Sequence, residues 1–205
     1  MSDIEIALLD YGMGNLHSVG RAVARAGGQP TVTGDPAVVR EARALVIPGV
    51  GAFGACMRAL AHRGLDDAIA TFVTGGRPVF GVCLGMQVLF DGSEEDPEPG
   101  LGVLPGTARR LPAGVKVPHM GWNTVSTVGS HPYLDGVSDQ TRFYFVHSYA
   151  PDAGVPSVVG VTEHGAPFAS IVARDNVFAT QFHPEKSSHA GLQIYASFVK
   201  AVAAG

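Results

Sequence analysis

The residues best suited to do chemistry lie in Gly81-Val82-Cys83-Leu84-Gly85. An apolar run, Pro78-Val79-Phe80, leads in, and Met86-Gln87-Val88-Leu89-Phe90 leads out as a helix predicted over 84–90. Strand, sharp bend and helix with G-x-C-x-G at the bend is the cysteine form of a nucleophile elbow. The glycines spare a tight bend from crowding by a Cβ. A cysteine there projects its sulfur off the sheet, next to helix N–H groups that favour a thiolate. A lone cysteine usually reads as a small buried hydrophobe; the flanking glycines reverse that preference for Cys83. Cys56, with no base near it in sequence, reads as packing.

A partner for the thiol stands about a hundred residues on, in Gln181-Phe182-His183-Pro184-Glu185-Lys186-Ser187. Proline biases His183 toward extended backbone. In an extended segment residues two apart face one side, so Glu185 is predicted to orient the His183 imidazole. Cysteine, histidine and carboxylate together form a triad for acyl transfer. A third stretch, Pro48-Gly49-Val50-Gly51-Ala52-Phe53-Gly54, lacks the lysine of a phosphate loop. It reads either as a plain turn or as backbone N–H groups of Gly49, Val50 and Gly51 that, with Leu84, face an oxyanion. His17, His62, His131, His164 and His189 read as surface or loop residues. No histidine–cysteine spacing resembles a zinc site, and no cofactor is expected.

These stretches need a frame. Residues 4–9 form an apolar first strand, and Asn15 can cap a helix to about Ala26 with Leu16, Val19, Val23 and Ala26 on one face. Short strands follow at 30–33 and 44–47, then a helical stretch over 54–74 broken near Gly64. The β-α-β rhythm implies parallel strands flanked by helices. The acidic stretch 91–102 reads as a surface loop. Beyond it, strands are predicted at 107–110, 115–117, 142–149, 157–162, 168–173 and 177–181, a meander packed on or extending the parallel sheet. A helix over 189–203 closes the chain. The reading is a single domain over 1–205 with a mixed, mainly parallel α/β sheet and an added antiparallel portion.

Bulk properties exclude several classes. The chain has 205 residues, 46% of them hydrophobic, and a formal net charge of −4. It is apolar enough for a large core, and without a basic cluster, nucleic acid and anionic membrane are poor partners. No apolar run approaches the roughly 20 residues of a membrane span. The N-terminus opens acidic, unlike a signal peptide. Two cysteines fit a reducing cytoplasm.

Gly-Val-Cys-Leu-Gly-Met-Gln followed by Gln-Phe-His-Pro-Glu-Lys-Ser resembles the class I, triad-type glutamine amidotransferases, a flavodoxin-like fold, essentially from end to end. Pro-Gly-Val-Gly-Ala-Phe-Gly, the 118–123 stretch Pro-His-Met-Gly-Trp-Asn and the 143–149 stretch Phe-Tyr-Phe-Val-His-Ser-Tyr resemble the members that serve imidazole-ring formation in histidine biosynthesis. The resemblance implies that Cys83 attacks the glutamine side-chain amide, His183 moves the proton and Glu185 orients it. It implies further that Gln87, Glu95, Ser148 and Tyr149 bind glutamine, although Glu95 sits between Glu94 and Asp96, and Ser148 and Tyr149 also read as strand packing. The ammonia is expected to pass to a separate cyclase, a (β/α)₈ barrel, contacted through Asn15, Trp122, Asn123, Tyr144 and Lys186. Trp122 reads alternatively as core. Competing readings are a glutaminase for another synthase, such as that making anthranilate, and a cysteine hydrolase on the same elbow fold.

Overall fold

The computed structural model describes residues 4–205; the first three residues of the acidic N-terminus lie outside it. The chain begins β1 (Glu5–Leu9), α1 (Leu16–Arg25), β2 (Gln29–Thr33), α2 (Pro36–Glu41), β3 (Leu45–Gly49), α3 (Phe53–His62), α4 (Leu65–Thr74), β4 (Val79–Cys83) and α5 (Leu84–Gln87). It continues β5 (Gly92–Ser93), β6 (Asp96–Pro99), β7 (Thr107–Arg110), β8 (His119–Thr127), β9 (Thr141–His147), β10 (Tyr149–Pro151), β11 (Val158–Glu163), β12 (Pro167–Arg174), β13 (Val177–Thr180) and α6 (Ser188–Ala204).

Nine strands form one sheet in the order β2-β1-β3-β4-β13-β12-β11-β8-β9. The first five run parallel, and from β13 onward each neighbour is antiparallel. The meander therefore extends the parallel sheet. A second sheet, β10-β7-β5-β6, stands beside it. The alternation of β1 shows why both faces are covered: Ile6 and Leu8 join one apolar cluster with Val19, Val23 and Phe198, while Ala7 and Leu9 join another with Phe53, Leu60 and Phe72. Each fully buried side chain of this size contributes about 1.5–3 kcal/mol. Asn15 caps α1 through its side-chain oxygen, and Gly64 breaks α3 from α4 in the left-handed conformation.

Several expectations need correction. The helix after the cysteine, predicted to reach Phe90, ends at Gln87, so little helix dipole acts on the thiol. The loop expected over 91–102 holds the β5–β6 hairpin, with Ser93 opposite Asp96. No strand forms at 115–117: Pro112 and Pro118, on either side, lack N–H donors for a ladder, and Gly114 turns the chain with φ +91°. The strand predicted over 142–149 is broken at Ser148, where the chain leaves the large sheet for the small one. Strand β8 and helix α2 went unpredicted.

Candidate active site

Strand β4 delivers Cys83 at the carboxyl end of the parallel sheet. Its backbone takes φ 55° and ψ −109°, a region that non-glycine residues enter only when their surroundings hold them there. The holding is visible in the glycines. A Cβ on Gly81 would come 2.7 Å from the Gly85 carbonyl oxygen, and one on Gly85 would overlap the Ile47 carbonyl oxygen. The thiol is 6% exposed; it lies 3.8 Å from the Val146 carbonyl oxygen and 3.7 Å from Gln181 Nε2.

The glycine-rich loop stands beside the elbow because β3 pairs with β4 and places Gly49 opposite Cys83. The Tyr11 hydroxyl donates to the Pro48 carbonyl at 2.6 Å and pins the strand end from behind. A Cβ on Gly49 would meet Gly85 N and Leu84 Cβ, both at 2.7 Å. Gly51 has φ +104°, the conformation for which glycine is the natural residue. Val50, Gly51 and Leu84 line the same cavity as Cys83, whereas Gly49 sits behind it as the hinge with β4.

His183 and Glu185 do meet, but by a route other than the one predicted. Pro184 starts a 3₁₀ turn over Pro184–Lys186, for which its fixed φ suits it. That turn swings the Glu185 carboxylate onto His183 Nδ1 at 2.8 Å, with both side chains buried. Strand β9 holds the turn: His183 N donates to the Tyr144 carbonyl, Tyr144 N donates to Ser187 Oγ, and Ser187 Oγ donates to the His183 carbonyl. With Nδ1 engaged, Nε2 has no protein hydrogen-bond acceptor of its own and is left for the thiol. Burial opposes charging of this imidazole, but Cys83 and then Glu185 override it and raise the pKa to about 10, so the ring holds a proton well once it has one. The other cysteine, Cys56, is fully buried in α3, and burial pushes its thiol up to about 12, the opposite of an activated nucleophile.

A cavity of about 310 Å³ opens above the thiol, lined by Val50, Gly51, Cys83, Leu84, Gln87, Glu95, Pro118, Val146, His147, Ser148, Tyr149 and His183. All four residues expected to contact a substrate line it. Glu95 gets there at the tip of the β5–β6 hairpin, where its carboxylate accepts from Phe53 N at 2.8 Å and caps α3, whose own cap residue, Ala52, supplies no side-chain bond. Ser148 sits at the strand break. Gln87 is 4% exposed and donates from Nε2 both to the Tyr149 carbonyl, at 2.8 Å, and to Gln181 Oε1, at 3.1 Å. Only its Oε1 remains for a bound molecule.

The sequence reading gave no role to His119, His147 or Gln181. His147 carries a usable signal, since Phe143, Phe145 and His147 alternate inward along β9. His131 and His164 are also less superficial than expected: His131 stacks on Phe178 and His164 on His119. Of the residues expected at a partner surface, Trp122 is 45% exposed and therefore not core. Its ring meets that of Tyr144 edge-on at 6.3 Å. Asn123 follows on β8, Lys186 lies exposed on the turn that Tyr144 holds, and α1, headed by Asn15, packs beside that turn. Met120, at 60% exposure, belongs to the same outward face and was not predicted. Among the described residues no group of three or more His, Cys, Asp or Glu side chains is placed to hold a metal ion. Among them, too, no helix is long and apolar enough to cross a membrane.

A nucleophilic thiol, a histidine with one nitrogen fixed by a carboxylate, and a glycine loop aimed at the same cavity suit attack on an acyl carbon. Residues 7–202 match the family model described as glutamine amidotransferase class-I, and the chain belongs to that family. Among curated proteins it is 48% identical to the imidazole glycerol phosphate synthase subunit HisH of Aromatoleum aromaticum, over 97% of this chain and 98% of that one. It is 47% identical to the HisH subunit of Symbiobacterium thermophilum, over 96% and 94%. Among solved structures, PurLQS from Thermotoga maritima superposes with a TM-score of 0.78 at 17% identity, covering 97% of this chain and 99% of that one. The glutaminase domain of Trypanosoma brucei CTPS, with bound acivicin, gives 0.73 at 17%, over 98% and 94%. These two likenesses are of fold.

Proposed function

We propose that this chain is the glutaminase subunit of an imidazole glycerol phosphate synthase, working as one domain over its 205 residues. The observation that carries the reading is the site itself: Cys83, on its strained backbone, shares one cavity with His183, which Glu185 holds from behind, in a chain nearly half identical to HisH subunits. Cys83 attacks the side-chain carbonyl carbon of glutamine. His183, through Nε2, takes the thiol proton and returns it to the departing ammonia, while Glu185 holds the ring and stabilises its charge. The developing oxyanion is met by N–H groups of Leu84 and of the loop residues that line the cavity, Val50 and Gly51, with Gly49 fixing the loop from behind. Water then hydrolyses the thioester to glutamate. Glu95, Ser148, Tyr149 and Gln87 Oε1 form the glutamine wall.

The ammonia goes to a cyclase subunit, a (β/α)₈ barrel, which makes imidazole glycerol phosphate and AICAR. The face formed by Asn15, Trp122, Tyr144 and Lys186, with Met120, receives it; Asn123 belongs to that face through its backbone, since its side chain turns inward to His119 and the Glu163 carbonyl. A cytoplasmic setting accords with two free thiols. The test mixes the chain with candidate cyclases and measures glutamate and product together. Glutamine-dependent product with the imidazole-forming cyclase supports the reading. Product only with another synthase, or turnover of esters and peptides in place of glutamine, overturns it.

A further inference from the structure

A chain of hydrogen bonds crosses the molecule from strand β8 to the nucleophile, and its polarity is set from both ends. On β8, the Asn123 side-chain oxygen accepts from Thr124 N at 2.8 Å, and Nδ2 donates to the Glu163 carbonyl at 2.9 Å. A carbonyl can only accept, so the amide has one orientation. Asn123 Nδ2 also lies 3.1 Å from His119 Nε2, which must therefore be bare. His119 Nδ1 then carries the proton, and it stands 2.9 Å from His147 Nε2. His147 Nδ1 stands 2.9 Å from the Tyr149 carbonyl, another obligate acceptor, and so is protonated too. Reading inward from Tyr149 gives the same answer as reading outward from Asn123. The same carbonyl takes Gln87 Nε2, which also donates to Gln181 Oε1; that leaves Gln181 Nε2 to face Cys83 Sγ.

The rings are held as well as bonded. His119 is sandwiched between Phe145, at 4.8 Å, and His164, at 4.2 Å. Both His119 and His147 are nearly inaccessible to solvent. Resting on the glutaminase reading above, we propose that His119 and His147 form a neutral, proton-ordered pair that positions the Tyr149 carbonyl on the glutamine wall and ties that wall to strand β8. They are positioning residues and touch no reacting atom. Adding a proton to either ring would set two donors against each other or against a neighbouring donor. A charged pair therefore cannot keep this geometry, and burial, joined by neighbouring histidines, holds both pKa values down, to about 4 for His119 and about 3 for His147.

Two measurements test this, one free of any assumption about activity. Long-range ¹⁵N–¹H correlation on the labelled full chain at neutral pH reads each imidazole nitrogen. The expected result is that His119 and His147 are both neutral and both protonated on Nδ1. A proton on Nε2 of either ring, or a charged ring, overturns the proposal. The second measurement compares glutamate release by wild type, His119→Asn and His119→Phe in the assembled complex. Asn keeps a donor where Nδ1 was; Phe removes it and leaves His147 Nε2 without a donor, worth roughly ten-fold. That loss should fall on KM for glutamine, with kcat within a few-fold, and Asn should restore most of it. Equal KM in all three overturns positioning by the pair. A wild-type complex that releases no glutamate fails the glutaminase reading instead, and the proton positions remain readable.

Discussion

Gly85→Ala isolates how tightly the elbow is built. The added methyl would overlap the Ile47 carbonyl oxygen and lie 2.8 Å from its carbon and 3.3 Å from Ile47 Cγ2. Ordinary contacts lie at about 3.5–4.0 Å, so relieving the contact with the carbonyl carbon alone requires about an ångström of movement between the turn and β3, and relieving the overlap with the oxygen requires more. Neither side yields cheaply, because both are buried backbone, Ile47 inside β3 and Gly85 in the turn that opens α5. Overpacking of this kind costs about 1–3 kcal/mol or more, which for a chain of this size lowers Tm by roughly 2–12 °C. The movement also falls two residues before Gly49, which is registered against Cys83, so it separates the nucleophile from the glycine loop. A 1 Å misplacement can cost about 10²-fold in rate. Thermal unfolding and glutamate release, set beside Gly154→Ala, where a Cβ meets nothing within 4 Å, separate the local clash from a general effect of alanine. If Gly85→Ala keeps the wild-type Tm and rate, the account of the elbow as a steric lock is wrong.

Cys83→Ala should abolish glutamine-dependent synthesis while ammonia-dependent synthesis by the partner persists; loss of both in an assembled complex would refute the division of labour. Cys56→Ser should retain turnover if folded, since its thiol is buried away from the cavity. Glu185→Gln should be impaired by up to about 10⁴-fold, as for triad orienters elsewhere, and His183→Asn by more; wild-type rates in His183→Asn would end the triad assignment. Acid should destabilise the fold. His119 and His147 have folded pKa values of about 4 and about 3, lowered from 6.5 first by burial and then by neighbouring histidines, His164 for both and also His119 and His183 for His147. Below pH 6.5 the unfolded chain binds protons that the folded chain refuses, so each ring removes up to about 1.4 kcal/mol per pH unit down toward pH 4. His183, whose pKa is raised, favours the folded state below pH 6.5 and loses that contribution only as pH climbs toward 10. Tm measured from pH 7 to pH 5 should fall, and a flat profile would refute buried neutral histidines.

What the sequence disclosed was local and periodic. G-x-C-x-G announces a bend because only glycine fits where Gly81 and Gly85 press on carbonyl oxygens. The Asn15 cap and the Gly64 break were likewise visible as residue types at the right spacing. What it concealed depended on long-range register. Strand β8 stayed hidden because His119, Gly121 and Asn123 are polar or small, yet His119 and Asn123 face inward on a polar network. The Glu95 carboxylate gains its place only when a hairpin forms inside an acidic stretch. The His183–Glu185 contact was expected from extended geometry and arises from a 3₁₀ turn. The residue pair was legible because proline restricts both alternatives, but the path between them was not.

The sheet reverses direction at β13, and the site straddles that reversal. Cys83 and the glycine loop come from adjacent parallel strands at their carboxyl ends, where open α/β sheets place their reactive groups. His183 follows β13, the last parallel strand and the first with an antiparallel neighbour. The cavity wall comes from the antiparallel side, where Ser148 carries the chain from one sheet to the other. The nucleophile is thus fixed by the parallel half, buried on both faces, while Ser148 and Tyr149 of the wall follow β9 in the half whose outer strands carry the exposed Met120 and Trp122. Along β8 these two point outward while His119 and Asn123, on either side of them, point inward to the hydrogen-bond chain that ends on Cys83. A partner gripping the outward pair holds the backbone from which that chain hangs. On the proposed reading, the partner face and the start of the hydrogen-bond chain to the cavity are two sides of one strand, and a displacement of β8 alters both.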